Sequence, residues 1–131
     1  MKNVNKGILI DTSVWVEFFT KTSRTSDAVA ALLNKDKAWV SGVVLYELVQ
    51  GTKSEFEKEQ IISQLSTLSY VEMSIPLWCR AGELAKAMKK KGLTLPMSDI
   101  LLATIALGYN LSLFTLDKHF ESIPGVKLYK P

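Results

Sequence analysis

Four carboxylates interrupt or end apolar runs, and this placement constrains the fold more than any other feature of the chain. They are Asp11 after Gly7–Ile10, Glu47 inside Val43–Val49, Asp99 before Ile100–Ala103 and Asp117 after Leu111–Leu116. A carboxylate against apolar surface is destabilising unless a charged group pairs with it. If folding gathers the four acids, they form a site for a hard divalent cation.

Apolar runs of strand length alternate with stretches of helical period along the chain. The predicted strands are Gly7–Ile10, Ala38–Val40, Tyr70–Met73, Leu111–Thr115 and Val126–Tyr129, and the predicted helices are Ser13–Phe19, Ser26–Leu33, Val43–Gln50, Ser54–Leu65, Pro76–Lys91 and Asp99–Leu107. This alternation predicts an α/β fold with a parallel central sheet and helices on both faces. A chain of 131 residues fits one domain, so we expect a single unit over residues 1–131.

The predicted elements place the four acids where a ligand site is expected. Asp11 and Asp117 follow strands, and in open α/β sheets the ligand crevice lies at the carboxyl ends of the strands. Asp99 opens a helix on its inward stripe, with Leu102, Ala103 and Ala106, and Glu47 shares a helix face with Val43 and Val44. Each acid alone has an ordinary explanation as a cap, a turn residue or a solvated residue. The joint pattern predicts that they converge.

Four converging carboxylates predict a particular chemistry. Without a cation they repel one another, and at least one keeps its proton. Ligation by oxygen alone favours Mg²⁺ or Mn²⁺ over zinc or copper. Such a site most often serves phosphoryl chemistry, in which a metal-activated water attacks a phosphodiester in line. No Gly-rich phosphate loop is present, so hydrolysis of nucleoside triphosphates is unsupported.

Two hydroxyl residues next to these acids are candidates for an orienting role. Ser13 and Thr115 are each two residues from an acid, at Asp11 and Asp117. Their hydroxyls can orient a carboxylate or a metal-bound water. Capping and turn roles explain the same two residues equally well.

Charge, cysteine content and hydropathy limit the partners and the compartment. The net charge is +3, and the one dense basic cluster, Lys89–Lys91, fits a helix end better than a nucleic-acid patch. The single Cys79 cannot form an internal disulfide, which indicates a reducing compartment, and its neighbours predict core packing. Lys2 and Lys6 precede only four apolar residues, too few for a secretory signal.

The longest uncharged run is Ile100–Leu116, which is broken at Gly108–Asn110 and is shorter than the roughly 20 residues of a membrane helix. We therefore expect a cytoplasmic protein without a membrane partner.

One early helix carries an unusual aromatic face. Trp15, Phe18 and Phe19 lie together on the predicted helix Ser13–Phe19. Part of this face can remain exposed and bind an amphipathic partner helix. The alternative is full burial under the predicted helix Ser54–Leu65.

The ordered set of motifs resembles a known family. The motifs are Asp11-Thr12-Ser13 after the first strand, Glu47 in the third helix, Asp99–Ala106 opening a later helix, and Thr115–Phe120 after a strand. Together they resemble the PIN domain, and within it the VapC-type ribonuclease toxins of bacterial and archaeal toxin–antitoxin pairs. The resemblance covers essentially the whole chain.

This resemblance implies a Mg²⁺- or Mn²⁺-dependent endoribonuclease on a Rossmann-like sheet. Asp11, Glu47 and Asp99 correspond to the three central metal-binding acids of the family, and Asp117 corresponds to the fourth. Such toxins cleave RNA, commonly form homodimers and are inhibited by a small cognate antitoxin. The resemblance therefore favours a partner on the aromatic face, with an Arg or Lys extended into the carboxylate cluster.

One position departs from the family pattern. His119 stands where many relatives carry an acid, so this site holds one fewer negative charge, and a second metal ion is less assured. His119 is a candidate general acid or base, and the alternative is a surface imidazole.

Other classes fit less well or remain as alternatives. A haloacid-dehalogenase-type phosphatase requires a second Asp where this chain has Ser13. A phospho-acceptor receiver domain requires an acid pair where this chain has Lys6, Gly7 and Ile8. Two alternatives stay open: a PIN scaffold used only for protein contacts, and an RNA-processing nuclease without a toxin role, which usually carries insertions that this chain lacks.

Overall fold

The protein is built on a four-stranded parallel sheet. The computed structural model describes residues 7–131, so Lys2 and Lys6 lie outside the described residues. The strands are β1 (Ile8–Ile10), β2 (Ala38–Ser41), β3 (Ser69–Val71) and β4 (Ser112–Phe114), in the spatial order β3-β2-β1-β4. All three pairings are parallel. The predicted parallel α/β fold is confirmed.

Six α-helices connect the strands, each within a few residues of its predicted position. They are α1 (Thr12–Thr20), α2 (Arg24–Asn34), α3 (Gly42–Gln50), α4 (Glu55–Leu65), α5 (Ile75–Lys90) and α6 (Met97–Gly108). Local sequence explains their starts, since Ser23, Ser54 and Ser74 accept hydrogen bonds from backbone N–H groups of the first turns of α2, α4 and α5.

The order of the strands places the helices on two faces. Helices α1 to α4 lie in the steps from β1 to β2 and from β2 to β3, whereas α5 and α6 return from β3 to β4. Crossovers between parallel strands are right-handed, so reversing the direction of the step moves the helices to the opposite face. The reversal creates a crevice at the carboxyl ends of β1 and β4.

Helix α6 is the most deeply buried element. Every residue from Asp99 to Ala106 is buried, although the sequence predicts a single inward stripe. The helix packs against α5, α3, β4 and the segment after β4, so it has no solvated face along this length. Asp99, the acid in its first turn, is therefore a buried residue.

The predicted strand Val126–Tyr129 is wrong as a strand. Only Leu128 forms a bridge, parallel to Leu113 of β4. The chain turns at Gly125, whose φ is +84°, and then pairs with the edge of β4 only at Leu128. The segment still covers the sheet edge, because the ring of Tyr129 packs on that of Phe114 at 5.2 Å between centroids.

The predicted core position of Cys79 is also wrong. The buried residues of α5 are Leu77, Ala81 and Met88, and Cys79 lies off this stripe and is exposed. Its neighbour Trp78 is likewise half exposed.

In the described part of the chain, no helix has the length and apolar character needed to cross a membrane.

Candidate active site

The four predicted acids lie around the crevice at the carboxyl ends of β1 and β4. Asp11 follows β1 directly and is the N-cap of α1. Asp117 is the third residue after β4, where it caps a short 3₁₀ helix over Lys118–Ser122 that the sequence does not predict. Asp99 lies in the first turn of α6, and Glu47 lies in the last turn of α3.

Asp11 is held by three hydrogen bonds. Its Oδ1 accepts from the backbone N–H of Thr12 at 2.7 Å, and its Oδ2 accepts from the hydroxyls of Ser13 at 2.9 Å and Thr115 at 2.7 Å. The residue is only 7% exposed. Burial raises the pKa of Asp11, the hydrogen bonds oppose the rise, and the Glu47 charge adds to it.

The two hydroxyls also tie the ends of β1 and β4 together. The Ser13 hydroxyl accepts from the backbone N–H of Leu116 at 3.1 Å, and that of Thr115 accepts from the N–H of Asp117 at 3.0 Å. Each hydroxyl thus donates to Asp11 and accepts from the segment after β4. This geometry is what an orienting role requires of Ser13 and Thr115.

Glu47 is joined to the site by Thr12, whose role the sequence reasoning missed. The hydroxyl of Thr12 donates to Glu47 Oε1 at 2.6 Å, linking α1 to α3. Thr12 therefore connects the two acids, since its backbone binds Asp11 and its side chain binds Glu47. The only sequence signal for this role is its place beside Asp11.

Asp99, Asp117 and His119 form a close cluster. The Nδ1 atom of His119 lies 3.4 Å from Asp99 Oδ2 and 3.2 Å from Asp117 Oδ1. The three residues each offer one ligand atom within 4.8 Å of the others. Burial raises the pKa of Asp99, the Asp117 and Asp11 charges add to the rise, and the neighbouring His119 imidazole opposes it.

The structure thus brings the four acids to one crevice, but not into one tight shell. Among residues 7–131, the one group of three metal-ligand side chains this close is Asp99, Asp117 and His119. Asp11 and Glu47 are outside that group. The charge of Asp11 nevertheless adds to the raised pKa of Asp99, and the charge of Glu47 adds to the raised pKa of Asp11. Their part in metal binding remains a prediction.

Ser41 is a polar residue at this edge that the sequence reasoning missed. It ends β2 and has no solvent exposure, and its hydroxyl has no hydrogen-bond partner among the described residues. Leu9 of β1 pairs with Trp39 of β2, so two residues later Asp11 and Ser41 end neighbouring strands side by side. A serine closing a short strand before Gly42 gives no distinctive sequence signal.

A groove with mostly apolar walls runs beside the site between α1, α3 and α4. It encloses about 480 Å³, and its lining includes Val16, Phe19, Phe56, Ile61 and, at one side, Glu47. Trp15 is fully buried, while Phe19 is 36% exposed at the groove wall. The aromatic face is therefore neither wholly exposed nor wholly covered by α4.

We expect Thr115→Val to destabilise the protein by about 1–3 kcal/mol, because it removes a donor to the buried Asp11 carboxylate and an acceptor for the Asp117 N–H. Urea unfolding at neutral pH measures the change. The control is Thr67→Val, since that hydroxyl bonds only an exposed helix-end carbonyl. Equal losses in the two variants would contradict the orienting role.

Comparison with known proteins gives a consistent family. The family model for the PIN domain matches residues 8–126. The chain is 31% identical to Ribonuclease VapC2 of Rickettsia felis over 92% of this chain and 94% of that protein. It is 28% identical to Ribonuclease VapC1 of Methanocaldococcus jannaschii, over 93% and 86% of the two chains.

Solved structures show the same fold. The toxin–antitoxin complex VapBC2 from Rickettsia felis, bound to a DNA fragment from its promoter, contains a chain with a TM-score of 0.80 and 25% identity, covering 93% of this chain and 96% of that one. The sarcin-ricin-loop-cleaving toxin VapC20 of Mycobacterium tuberculosis matches with a TM-score of 0.70 and 14% identity, over 95% and 100% of the chains.

Proposed function

The chain belongs to the PIN domain family, and on that premise we propose that it is a metal-dependent endoribonuclease acting as the toxin of a toxin–antitoxin pair. The observation that carries the proposal is the meeting of buried Asp11 and Asp99 with Asp117 at the crevice between β1 and β4. The relatives named Ribonuclease VapC are similar over nearly their whole length, which supports the same activity here.

The donor set fits a divalent cation. Carboxylates at Asp99 and Asp117 and the imidazole of His119 offer three ligand atoms within 4.8 Å. Burial is the main cause of the raised pKa values of Asp11 and Asp99, so a bound cation would stabilise their charged forms. We infer that Asp11, Glu47, Asp99 and Asp117 hold Mg²⁺ or Mn²⁺, either directly or through water.

The residues divide the catalytic work. A cation held by these acids would neutralise the scissile phosphodiester and lower the pKa of the water that attacks phosphorus, so that the P–O bond to the leaving ribose oxygen breaks. Ser13 and Thr115 fix Asp11 so that its carboxylate cannot rotate. Thr12 fixes Glu47 in the same way. This fixed geometry reduces the reorganisation needed in the transition state.

A small antitoxin is the proposed inhibitor. The groove between α1, α3 and α4 has apolar walls at Val16, Phe19 and Phe56, with Glu47 at one side. These features suit an amphipathic helix that places apolar residues in the groove and an Arg or Lys on the carboxylates. Several structural relatives are VapBC complexes, which supports an antitoxin partner for this chain.

We also propose that the protein forms a homodimer and acts in the cytoplasm, where RNA is available. Apolar side chains on α3 and α5 support a self-association surface, because Tyr46 is 67% exposed, Ile75 is 80% exposed and Trp78 is 48% exposed. Exposed apolar groups of this size favour burial against another chain.

A scaffold used only for protein contacts is disfavoured, because it would have no use for four acids at one crevice.

We expect Mn²⁺ or Mg²⁺ to raise the melting temperature of the purified protein by mass action on the native state. At a hundredfold excess over the dissociation constant the rise is about 5–10 °C for a domain of this size. EDTA is expected to abolish RNA cleavage. A melting curve indifferent to millimolar Mn²⁺, with cleavage persisting in EDTA, would contradict the proposed chemistry.

A further inference from the structure

His119 departs from the acidic character of the site, and its contacts indicate more than a surface imidazole. Its Nδ1 atom lies 3.2 Å from Asp117 Oδ1 and 3.4 Å from Asp99 Oδ2. The ring is directed at these two oxygens although its side chain is 57% exposed. The backbone N–H of His119 also donates to Asp117 Oδ1 at 2.9 Å, which fixes the residue relative to that carboxylate.

The two distances fit an imidazole and two carboxylates that bind one metal ion better than an imidazole that shares one proton with both carboxylates. A charge-assisted N–H···O bond is about 2.7–2.9 Å long, and one N–H cannot point well at two separate oxygens. Ordinary N–H···O bonds extend to about 3.2 Å, so the 3.2 Å contact with Asp117 is at the end of that range and the 3.4 Å contact with Asp99 is beyond it. By contrast, two donors at right angles on an octahedral ion with bonds of about 2.1 Å lie about 3 Å apart. The spacing of Nδ1 from each oxygen is close to that value.

We propose that His119 Nδ1 is a metal ligand, which adds a nitrogen donor to the carboxylates of Asp99 and Asp117 and makes the site select Mn²⁺ and later transition metals over Mg²⁺. This inference rests on the proposed function and adds a specificity determinant to it. Imidazole nitrogen binds transition metals well, whereas Mg²⁺ prefers oxygen ligands. An all-carboxylate site at this crevice would discriminate less between the two classes of ion.

The surroundings of the cluster leave room for substrate on the ion. Asp99, Asp117 and His119 would supply three donors, and Asp11 and Glu47, directly or through water, together with phosphate oxygens of the substrate would supply the others. Asp99 reaches the cluster from the buried start of α6, with its side chain 13% exposed, whereas Asp117 and His119 approach from the more open segment after β4. The side of the cluster formed by Asp117 and His119 therefore faces solvent, from which a polynucleotide can approach.

The test measures metal binding by the purified full-length protein in the absence of RNA. Calorimetry with MnCl₂ and with MgCl₂ compares the wild type with His119→Asn and with His119→Asp. Glu121→Gln is the matched control, because it changes an exposed residue of the same 3₁₀ helix. Circular dichroism checks that each variant is folded.

We expect His119→Asn to weaken Mn²⁺ binding at least about tenfold while Mg²⁺ binding changes less than about threefold. His119→Asp is expected to narrow the preference for Mn²⁺ over Mg²⁺, and Glu121→Gln to leave it unchanged. Pulsed electron paramagnetic resonance of bound Mn²⁺ is expected to show coupling to an imidazole nitrogen in the wild type and none in His119→Asn.

The opposite results would overturn the inference. Bound Mn²⁺ without nitrogen coupling in the wild type, or equal losses of Mn²⁺ and Mg²⁺ affinity in His119→Asn, would show that His119 is not a ligand. If the same wild-type protein still cleaves RNA with Mn²⁺, the nuclease proposal stands and only the role of His119 fails. Absence of both metal binding and RNA cleavage would overturn both.

Discussion

Replacement of Asp99 by Asn is expected to reduce RNA cleavage by about two orders of magnitude or more, because it removes a negatively charged ligand atom from the proposed metal site. The substitution preserves the shape of the side chain at a buried position in the first turn of α6. The rate of cleavage of a defined RNA at saturating Mn²⁺ measures the effect. Full cleavage by pure Asp99→Asn protein would contradict the site assignment.

The stability of the same variant separates loss of charge from loss of fold. Burial, together with the charges of Asp117 and Asp11, raises the pKa of Asp99. A carboxyl whose pKa is raised by folding binds its proton more tightly in the native state, so the metal-free protein loses stability as pH rises toward the raised pKa. The Asn side chain does not ionise, so the Asp99→Asn variant does not lose stability in this way as the pH rises. In EDTA at pH 7 its melting temperature should equal or exceed that of the wild type.

Expression of the chain alone is expected to arrest bacterial growth, and Asp99→Asn is expected to relieve the arrest. An RNase with an open acidic crevice would damage the RNA of its own cell unless an inhibitor is present. Colony counts after induction measure the effect, and co-expression of the proposed antitoxin should restore growth. Harmless overproduction of folded wild-type protein would contradict the toxin role and leave the nuclease assignment open.

The groove allows this prediction to be tested at the level of the partner. Phe56 lines the groove and is 70% exposed, whereas Ile62 lies on the same helix, is 43% exposed and is not part of the lining. We expect Phe56→Asp to retain the growth arrest but to resist rescue by the antitoxin, while Ile62→Asp remains rescued. Rescue of both variants would place the partner elsewhere on the surface.

Most of the fold follows from short-range features of the sequence. The apolar runs before Asp11 and Asp117 mark β1 and β4, and a serine before the first turn marks the start of α4. The parallel arrangement then follows from the alternation of elements. Because the carboxyl ends of parallel strands meet at one edge, the gathering of the acids at one crevice also follows.

The parts that the sequence does not reveal depend on side-chain geometry. The 3₁₀ helix after β4 has no periodic pattern, and it is this helix that brings His119 back to Asp99. The hydrogen bond from Thr12 to Glu47 spans 35 positions of the chain and leaves no local signal. Ser41 looks like any strand-end serine until the neighbouring strand places it beside Asp11.

The double role of Asp11 affects the choice of an inactive form for work on complexes. Asp11 is both a candidate active-site acid and the N-cap of α1, the helix that supplies Val16 and Phe19 to the groove. A substitution that removes the cap loosens the first turn of α1 and so disturbs the surface proposed to hold a partner. Asp99 caps no helix and lies in α6, outside the groove lining. For co-crystallisation with RNA or antitoxin, Asp99→Asn therefore leaves the groove native, whereas Asp11→Ala, which removes the cap, does not.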